Sequence, residues 1–546
     1  MGISFNAQPI FSDLTWAIKN KHCVGLVGAN GTGKSTLLKI IAGELKQESG
    51  FANARGKITI GNLHQEPQFD ESHTLWEEAL TASAEVKTVE QDIKRAEKQM
   101  GEPAYYENQA KLARKIEEHA QLLERYTAIG GPGYEGQIRS TLLSLGFEES
   151  EFELPTSALS GGQKKLLGLA KLLVTRPDLL LLDEPDNHLD LEGKAFLEKY
   201  IRNHPGGVVI VSHDRYLLDV VADEIAEIEA GKLTVYPGNY SEFAFEKEQR
   251  LKSQLHQFKV QQHEIGRLEQ SAQRLIIWGR SRDNEKLIRR GKSMLKRIER
   301  MEKVEKPITQ TKKMSLQLSG WRGSNKVLEV DGLDKSFLQP DGKSTVDIFK
   351  DLDFTVWHGE RVGLVGPNGA GKSLLFRLIL KELPADAGEI KIGPSIHSAY
   401  YSQEHQSIDY DQTLIDTIRG ARALSEGAAV NHLGRFLFNY EQAKGPVSNL
   451  SGGERSRLQL ALIMLTGANF LMLDEPTNNL DIPSAEVLEE VIADFEGTVL
   501  TISHDRYFLD RVADRILELD DKSLTEYPGS YSDYQAAKSR LEISPS

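Results

Sequence analysis

The chain has 546 residues, of which 39% are hydrophobic and 27% are charged, and its length predicts several domains. These proportions exclude collagen-like and largely disordered classes of protein. The single cysteine, Cys23, excludes an intrachain disulfide framework and a four-cysteine zinc or iron–sulfur site. The longest uncharged apolar run, residues 458–473, is too short to span a membrane, so we expect a soluble cytoplasmic protein without a membrane partner.

The net charge of −14 is unevenly distributed along the chain. Residues 246–313 carry 19 Lys or Arg against 9 Asp or Glu, whereas the remainder is strongly acidic. The average charge argues against a nucleic-acid partner, but a local basic segment of this kind is compatible with one.

The first predicted element is a buried strand at 24–27, followed by the glycine-rich sequence GANGTGKS at 28–35 and by apolar residues at helical spacing. This order of strand, loop and helix is the context that a phosphate-binding loop requires. Backbone N–H groups close around phosphate oxygens, the lysine meets the β/γ charges, and the serine hydroxyl is offered to Mg²⁺. The pattern recurs at 366–373. The predicted ATP-binding residues of the two loops are Gly28, Asn30, Gly31, Gly33, Lys34 and Ser35, then Gly366, Asn368, Gly369, Gly371, Lys372 and Ser373.

An inserted helical arm is predicted at about 80–130. Apolar residues recur at helical spacing from Val86 to Met100, the segment 101–103 breaks the pattern, and 104–126 resumes it. The arm is interpreted either as a solvated helical hairpin or as a docking arm.

The sequences LSGGQ at 159–163 and LSGGE at 450–454 each open a helix rich in Leu and Ala. Serine followed by two glycines at a helix N-terminus accepts anions. Because each copy already has its own phosphate loop, these sequences predict a site that completes the nucleotide site of a partner.

Two apolar strands, at 179–182 and 471–473, each end in an Asp-Glu pair. Ligands bind at the carboxyl ends of strands in parallel sheets, so Asp183 and Asp474 are predicted to hold Mg²⁺. Glu184 and Glu475 are predicted to orient or deprotonate the attacking water.

A histidine follows a further apolar strand in each copy. His213 follows the strand at 208–211, and His504 follows the strand at 499–502. A lone histidine there is usually structural, but the same placement in both copies favours a contact with the γ-phosphate.

A helical hairpin linker is predicted at 243–310, with apolar seams at coiled-coil spacing and two helices of about 34 residues that turn near Trp278-Gly279. Either it is a coiled-coil spacer with a solvated face, or its basic side chains neutralise phosphates. Trp278 either stacks on a base or caps the hairpin. The predicted RNA-binding residues are Arg280, Arg282, Lys286, Arg289, Arg290, Lys292, Lys296 and Arg297.

The motifs form an internal repeat. Lys34 and Lys372 are 338 residues apart, as are Gln65 and Gln403, whereas the later motifs are 291 residues apart. The difference corresponds to the arm, which lies in the first copy only. The sequence therefore predicts an α/β fold with two P-loop domains, at 1–242 and 311–546, joined by the linker.

Both halves of the chain resemble the ATP-binding cassette ATPases. The resemblance rests on the order of the motifs in each half, which is phosphate loop, glutamine, LSGGQ or LSGGE, DEP and histidine. The tandem arrangement, the sequences DEPDNHLD and DEPTNNLD, the arm and the basic linker resemble the ABC-F family of ribosome-associated translation factors. The resemblance implies two ATP-binding cassette domains that hydrolyse ATP with Mg²⁺, and a linker that contacts the ribosome, including ribosomal RNA and transfer RNA.

The resemblance also implies how each ATP is bound. The two cassettes of one monomer close head to tail, so Ser451, Gly452, Gly453 and Glu454 would cap ATP on the loop of Lys34, and Ser160, Gly161, Gly162 and Gln163 would cap ATP on the loop of Lys372. Gln65 and Gln403 would contact ATP and Mg²⁺. Phe5 and Phe337 would stack on adenine, and Thr36 would contact the α-phosphate.

Three positions depart from the family pattern. Leu374 stands where the first copy has Thr36, Asp186 stands where the second copy has Thr477, and Leu166 stands where the second copy has Arg457. The two nucleotide sites are therefore expected to be unequal.

Two functions are weighed for the chain. The first is an ATP-driven switch that acts on the ribosome and regulates translation, either by relieving stalling or antibiotic arrest or in routine translation. The second is an ATPase subunit that energises a transporter with separate membrane subunits, which explains the cassettes but leaves the basic linker without a role.

Overall fold

The structure is a computed structural model. It describes residues 2–5, 8–11, 14–56, 58–63, 67, 69–187, 189–282, 284–301, 324–338, 345–401, 409–478 and 480–543. The chain forms two compact units, of which the first combines Met1–Asn239 with Met314–Ser546 and the second is Tyr240–Lys313. The first unit contains both copies of the repeat. We call its two parts the first copy and the second copy.

The first copy is built on a six-stranded sheet whose central strands consist almost entirely of apolar residues. The strands of the first copy are β1 (Ile3–Phe5), β2 (Gln8–Phe11), β3 (Cys23–Val27), β4 (Ile60–Asn62), β5 (Leu179–Asp183), β6 (Gly207–Val211), β7 (Glu224–Glu229) and β8 (Lys232–Pro237). The six-stranded sheet consists of β3 to β8. The sheet order is β4-β5-β6-β3-β7-β8, parallel except for β8 at the edge. Every residue of β3, β5 and β6 is buried, as expected for parallel strands covered on both faces.

The helices of the first copy surround this sheet and extend into the arm. They are α1 (Lys34–Ile41), α2 (Leu75–Leu80), α3 (Ala84–Met100), α4 (Pro103–Tyr106), α5 (Gln109–Ala128), α6 (Tyr134–Ser144), α7 (Gly161–Thr175), α8 (Leu191–Arg202) and α9 (Arg215–Val221). The arm consists of α3 to α5, and α3 packs against α5 with Val86, Val89, Ile93 and Ala96 buried.

The second unit contains the hairpin, formed by α10 (Tyr240–Ser281) and α11 (Glu285–Glu299), which pack against each other. The turn that was predicted near Trp278-Gly279 lies further along the chain, because α10 continues to Ser281 and α11 begins at Glu285. A Cβ on Gly279 would lie 2.6 Å from Cγ1 of Ile288, so this glycine permits close approach of two helices rather than a turn. The expected equal helices are also wrong, since α10 has 42 residues and α11 has 15.

The second copy repeats the sheet of the first. Its strands are β9 (Lys326–Leu338), β10 (Thr345–Trp357), β11 (Arg361–Val365), β12 (Ala387–Ile392), β13 (Ser398–Tyr401), β14 (Phe470–Asp474), β15 (Thr498–Ile502), β16 (Arg515–Asp520) and β17 (Ser523–Pro528). The six-stranded order is β13-β14-β15-β11-β16-β17, which matches the first copy strand for strand. Strands β10, β9 and β12 form a separate antiparallel sheet, and in the described residues the separate sheet of the first copy consists of β1 and β2.

The helices of the second copy complete the repeat. They are α12 (Lys372–Ile379), α13 (Leu414–Ala421), α14 (Glu426–Arg435), α15 (Tyr440–Lys444), α16 (Gly452–Ile463), α17 (Ile482–Ala493), α18 (Arg506–Val512) and α19 (Tyr531–Ile543). Two α/β copies, a helical arm and a long helical hairpin confirm the predicted fold class. In the part of the chain that the structure describes, no helix is long and apolar enough to cross a membrane.

Candidate nucleotide sites between the two copies

The phosphate loops of the two copies have the same conformation. Gly33 and Gly371 cap α1 and α12 with φ of 95° and 97°, a left-handed conformation that favours glycine. Nζ of Lys34 donates to the carbonyl oxygen of Gly28 at 2.8 Å, and Nζ of Lys372 donates to that of Gly366 at the same distance. Burial lowers the pKa of both lysines. Each ammonium thus lies inside its loop, where a phosphate would replace carbonyl oxygens as its partner.

A hydroxyl and a carboxylate meet beside each loop. The Ser35 hydroxyl is hydrogen-bonded to Asp183, and the Ser373 hydroxyl to Asp474; burial raises the pKa of both carboxyls. These hard oxygen donors suit Mg²⁺, which keeps several waters and takes its other ligands from substrate phosphates. The described residues contain no group of three or more His, Cys, Asp or Glu that could hold a metal ion.

Three of the predicted ATP-binding residues are not fully described by the structure. Gln65 and Gln403 lie outside the described residues, and so does the side chain of Phe5, whose backbone belongs to β1. Phe337 lies near the end of β9 with 43% of its surface exposed, and Nζ of Lys335 is 5.3 Å from its ring centroid. An exposed ring at this place is accessible to an adenine.

The two glutamates that follow the magnesium-site aspartates have an unusual backbone. Glu184 and Glu475 have φ of 51° and 48°, in the left-handed region that non-glycine residues rarely adopt. Their N–H groups donate to the carbonyl oxygens of Val211 and Ile502, at 2.8 and 3.0 Å. Such a conformation costs energy and persists only where the surroundings enforce it. This backbone conformation occurs in both copies, and it holds each carboxylate at the end of its strand.

Each glutamate faces the predicted histidine of its own copy. His213 Nε2 is 3.5 Å from Glu184 Oε1, and His504 Nε2 is 3.6 Å from Glu475 Oε1. The His213 imidazole lowers the pKa of Glu184 to about 2, whereas burial raises the pKa of Glu475 to about 7. Burial also lowers the pKa of His504 well below its usual value. Within the described residues, Glu475 Oε1 and His504 Nδ1 are buried without a hydrogen-bond partner, which leaves them available to a water or a phosphate.

A cavity of about 930 Å³ joins the phosphate loop of the second copy to the signature sequence of the first. From the second copy it is lined by Asn368, Gly369, Gly371, Lys372, Ser373, Asp474, Glu475 and His504, and from the first by Ser160, Gly162, Gln163, Glu184 and His213. Ser160 caps α7 and forms a reciprocal pair of hydrogen bonds with Gln163, with Gly161 as the first residue of the helix. The cavity therefore brings together loop and signature residues from opposite copies.

At the phosphate loop of the first copy, a contact from the second copy is made by Asp481. Asn30 N donates to Asp481 Oδ2 at 3.2 Å, and the counterpart contact joins Asn368 N to Asp190 Oδ2, also at 3.2 Å. Each aspartate uses its other oxygen to cap a helix of its own copy. The predicted residues Ser451, Gly452, Gly453 and Glu454 form the capped start of α16. Sequence reasoning missed both aspartates, although they keep the repeat offset of 291 residues.

Two ion pairs, one buried and one partly buried, also cross between the copies. Each arginine comes from the repeated sequence SHDRY, and each guanidinium lies 4.0 Å from a tyrosine ring of the opposite copy. The pairs are Arg215 with Glu489 and Arg506 with Glu198. Sequence reasoning missed these pairs, although the two arginines and the two glutamates are each related by the repeat offset of 291 residues.

The predicted RNA-binding side chains of the hairpin are all exposed: Arg280, Arg282, Lys286, Arg289, Arg290, Lys292, Lys296 and Arg297. Trp278 and Ile277 are also exposed, by 59% and 62%. Within this unit, cations and an aromatic ring are therefore presented together to solvent near the turn.

The fold and these sites define a nucleotide-binding protein with two P-loop domains that contribute to each other's sites. The sequence matches the ABC transporter family over residues 11–187 and 349–478, and a second pattern with the same description over 226–318. The chain belongs to the F family of ATP-binding cassette proteins. It binds and hydrolyses ATP with Mg²⁺, as the family does.

Two relatives support this assignment, and one solved structure shares the fold. The chain is 36% identical over 524 residues to the energy-dependent translational throttle protein EttA of Escherichia coli, covering 95% of this chain and 90% of that protein. It is 33% identical to ABC transporter F family member 5 of Arabidopsis thaliana, covering 97% and 76% of the two chains. An archaeal ribosome recycling factor crystallised with a ribosomal stalk protein has the same fold, with a TM-score of 0.55, 18% identity and coverage of 97% and 90%.

Proposed function

We propose that the chain is an ATP-driven conformational switch that binds the ribosome in the cytoplasm and regulates translation. One chain supplies both halves of each nucleotide site, so a monomer is sufficient. The relative named a translational throttle, which matches nearly the whole chain, supports this function. The observation that carries it is the exposed cationic cluster on a hairpin that directly joins the two copies, in a chain whose net charge is −14.

The catalytic roles follow from the geometry of each site. Glu184 and Glu475 orient and deprotonate the attacking water, and His213 and His504 contact the γ-phosphate. Bound Mg²⁺ would supply charge neutralisation at the phosphates, held by the hydroxyl and carboxylate beside each loop. The lysine of each loop balances the charge on the β- and γ-phosphates.

Closure of the two copies on ATP links the sites to the hairpin. The residues that cap a nucleotide belong to the copy opposite its loop, so ATP favours the state in which both copies meet. Helix α10 begins at Tyr240, three residues after β8 of the first copy, and the hairpin leads on to β9 of the second. A change in the relative position of the copies is therefore transmitted through the chain to the hairpin.

The hairpin is proposed to contact RNA phosphates, including ribosomal RNA and transfer RNA. Its basic side chains are exposed, and phosphate neutralisation by Lys and Arg supplies most sequence-independent affinity. Trp278 is exposed beside them, where it can stack on an unpaired base. The alternative, a transporter subunit, gives these side chains no role and is the less supported function.

Ribosome binding is tested by sedimentation with ribosomes at increasing salt. The Glu184→Gln, Glu475→Gln protein with ATP provides the closed form. In one variant Arg289, Arg290, Lys292 and Lys296 are replaced by Gln. The matched control replaces four exposed cations of the arm by Gln, namely Lys87, Lys98, Lys111 and Arg114, so both variants lose the same charge.

We expect the hairpin variant to lose about tenfold or more in affinity at moderate salt, with a shallower salt dependence, because fewer counterions are released. The arm control should retain most of the affinity. Equal losses in the two variants, or unchanged sedimentation of the hairpin variant, would overturn the proposed RNA contact.

A further inference from the structure

Several contacts between the two copies come in pairs related by the repeat. Asn30 with Asp481 matches Asn368 with Asp190, and the two arginine–glutamate pairs match each other in the same way. A contact that has no such counterpart therefore distinguishes one nucleotide site from the other.

Lys194, on α8 of the first copy, makes a contact of this kind. Its side chain is buried, and Nζ donates to Asp214 Oδ2 at 2.8 Å within its own copy. The same ammonium donates to the backbone carbonyl oxygen of His504 in the second copy, also at 2.8 Å. The lysine thus reaches across the interface to the histidine of the second nucleotide site.

The repeat gives the second copy no equivalent donor. The offset of 291 residues places Ala485 opposite Lys194, and Thr477 opposite Asp186. Alanine has no side-chain donor, so the carbonyl of His213 receives no such bond from position 485. The buried charge group of the first copy is specific to that copy.

The ammonium is held in its charged form by carboxylates. Although burial disfavours the charge, Asp214 and Asp186 raise the pKa of Lys194 above its usual value. A buried ammonium without such partners would be strongly unfavourable. The hydrogen bond to His504 is therefore a charge-assisted bond that persists at neutral pH.

His504, which accepts the hydrogen bond from Lys194, also donates one to the carboxylate of the second site. The N–H of His504 donates to Glu475 Oε2 at 3.3 Å. In the first copy, the side-chain amide of Asn187 donates to Glu184 Oε2 at 2.8 Å instead. The two carboxylates are thus oriented by different groups, and among the described residues only that of the second site is linked to the opposite copy through a lysine.

We propose that Lys194 is a positioning residue for ATP hydrolysis at the second site. It fixes the backbone of His504 and, through it, the direction of Glu475, so hydrolysis on the loop of Lys372 requires contact with the first copy. The first site has no reciprocal lysine and does not depend on one. This inference rests on the roles proposed above for His504 and Glu475.

The test uses the full chain with Mg²⁺ and ATP. The double substitution Asp186→Thr with Lys194→Ala gives the first copy the residues that the second copy already carries at these positions. It is made once with Glu184→Gln, so that only the second site turns over, and once with Glu475→Gln, so that only the first does. Steady-state kcat and KM are measured for each protein and its parent.

With Glu184→Gln, we expect kcat to fall by about tenfold to a hundredfold because the carboxylate loses its orientation, with KM for ATP changed by less than about twofold. With Glu475→Gln, kcat should stay within about twofold. Equal losses in the two backgrounds, a rise in KM with unchanged kcat, or no loss with Glu184→Gln would each overturn the proposal.

A second measurement avoids the glutamate substitutions. The chain carrying only Asp186→Thr and Lys194→Ala is trapped with 8-azido-ATP and vanadate, photolabelled and digested, and the label on each copy is quantified. We expect trapping on the second copy's loop to fall and trapping on the first to stay unchanged; the same change on both would contradict the proposal. Full turnover by Glu184→Gln, Glu475→Gln protein would instead refute the proposed carboxylate roles, so the two failures are distinguishable.

Discussion

The two nucleotide sites share their motifs but differ in the surroundings of the catalytic carboxylate. Glu184 is 25% exposed and its pKa is lowered to about 2 by His213, whereas Glu475 is 11% exposed and burial raises its pKa to about 7. The sequences LDEP are identical in the two copies. Identical catalytic motifs therefore do not guarantee equal sites, because each carboxylate differs in its burial and in the groups that donate hydrogen bonds to it.

The largest expected effect is on hydrolysis itself. Replacing both Glu184 and Glu475 by Gln should lower the rate of phosphate release by about a thousandfold, because a positioned general base contributes on that scale. ATP binding, measured by filter binding, should persist. Each single substitution should leave the other site active. The rates of phosphate release of the two single variants therefore show which site hydrolyses ATP faster. Unchanged turnover in the double variant would refute the assignment.

The next largest effect is on the stability of the interface. Arg506→Met leaves Glu198 without its cationic partner and should lower the free energy of unfolding by about 3 kcal/mol. Arg215→Met should cost less, because Glu489 keeps Arg511 at 2.7 Å. Thermal unfolding midpoints compare the two variants. A larger loss for Arg215→Met would contradict the described pairing, and Arg506→Lys serves as the charge-preserving control.

Smaller effects on stability are expected from substituting the two helix-capping aspartates that follow the histidines. The two substitutions should change the stability in opposite directions. Although burial opposes it, Lys194 lowers the pKa of Asp214 to about 2, so Asp214→Asn should destabilise the protein at neutral pH. Burial and then Asp214 raise the pKa of Asp505 to about 6, so Asp505→Asn should stabilise it by about 2 kcal/mol. Asparagine retains the helix cap in both variants.

The pH dependence follows from the raised pKa of Asp505. The protonated carboxyl favours the folded state, so this contribution is fully present below the unfolded pKa of 3.8 and is lost as pH rises to about 6. The advantage of Asp505→Asn over the unchanged protein should therefore grow between these values and stay constant above them. Melting midpoints from pH 4 to pH 8 measure it, and an advantage that shrinks with rising pH would be the contrary result.

The smallest expected effect is at the position after the loop serine. Thr36→Ala should weaken ATP binding to the first site by about fivefold, the value of one hydrogen bond, and Leu374→Thr should strengthen the second site by a similar factor. Equilibrium binding with the other site blocked by substitution of its loop lysine measures each change. Equal affinities before and after both substitutions would show that this position does not distinguish the sites.

The fold and the composition of the sites could be predicted from the sequence because they depend on local patterns. The loop of Lys34 requires glycines at fixed spacing, and buried parallel strands require apolar runs. The hairpin turn was misplaced because Gly279 was interpreted as a chain reversal, whereas only the packing of Ile288 on α11 explains a glycine there.

The contacts between the copies could not be predicted in the same way. Lys194 and Glu198 look like ordinary charged residues of an amphipathic helix, and their burial depends on a surface far away in the sequence. The different pKa values of Glu184 and Glu475 depend on the contact with His213 in the first copy and on burial in the second, neither of which the shared sequence LDEP specifies. The repeat offset shows which positions are equivalent, but not which of them meet.

The central claim is that each nucleotide is bound by opposite copies of one chain. Gly161 and Gly452 are the exposed first residues of α7 and α16, where an aspartate favours the helix but repels a nucleotide phosphate. In Glu184→Gln protein, where only the second site turns over, Gly161→Asp should abolish ATP hydrolysis and Gly452→Asp should leave most of it. Equal effects of the two substitutions, or the reverse order, would contradict the account.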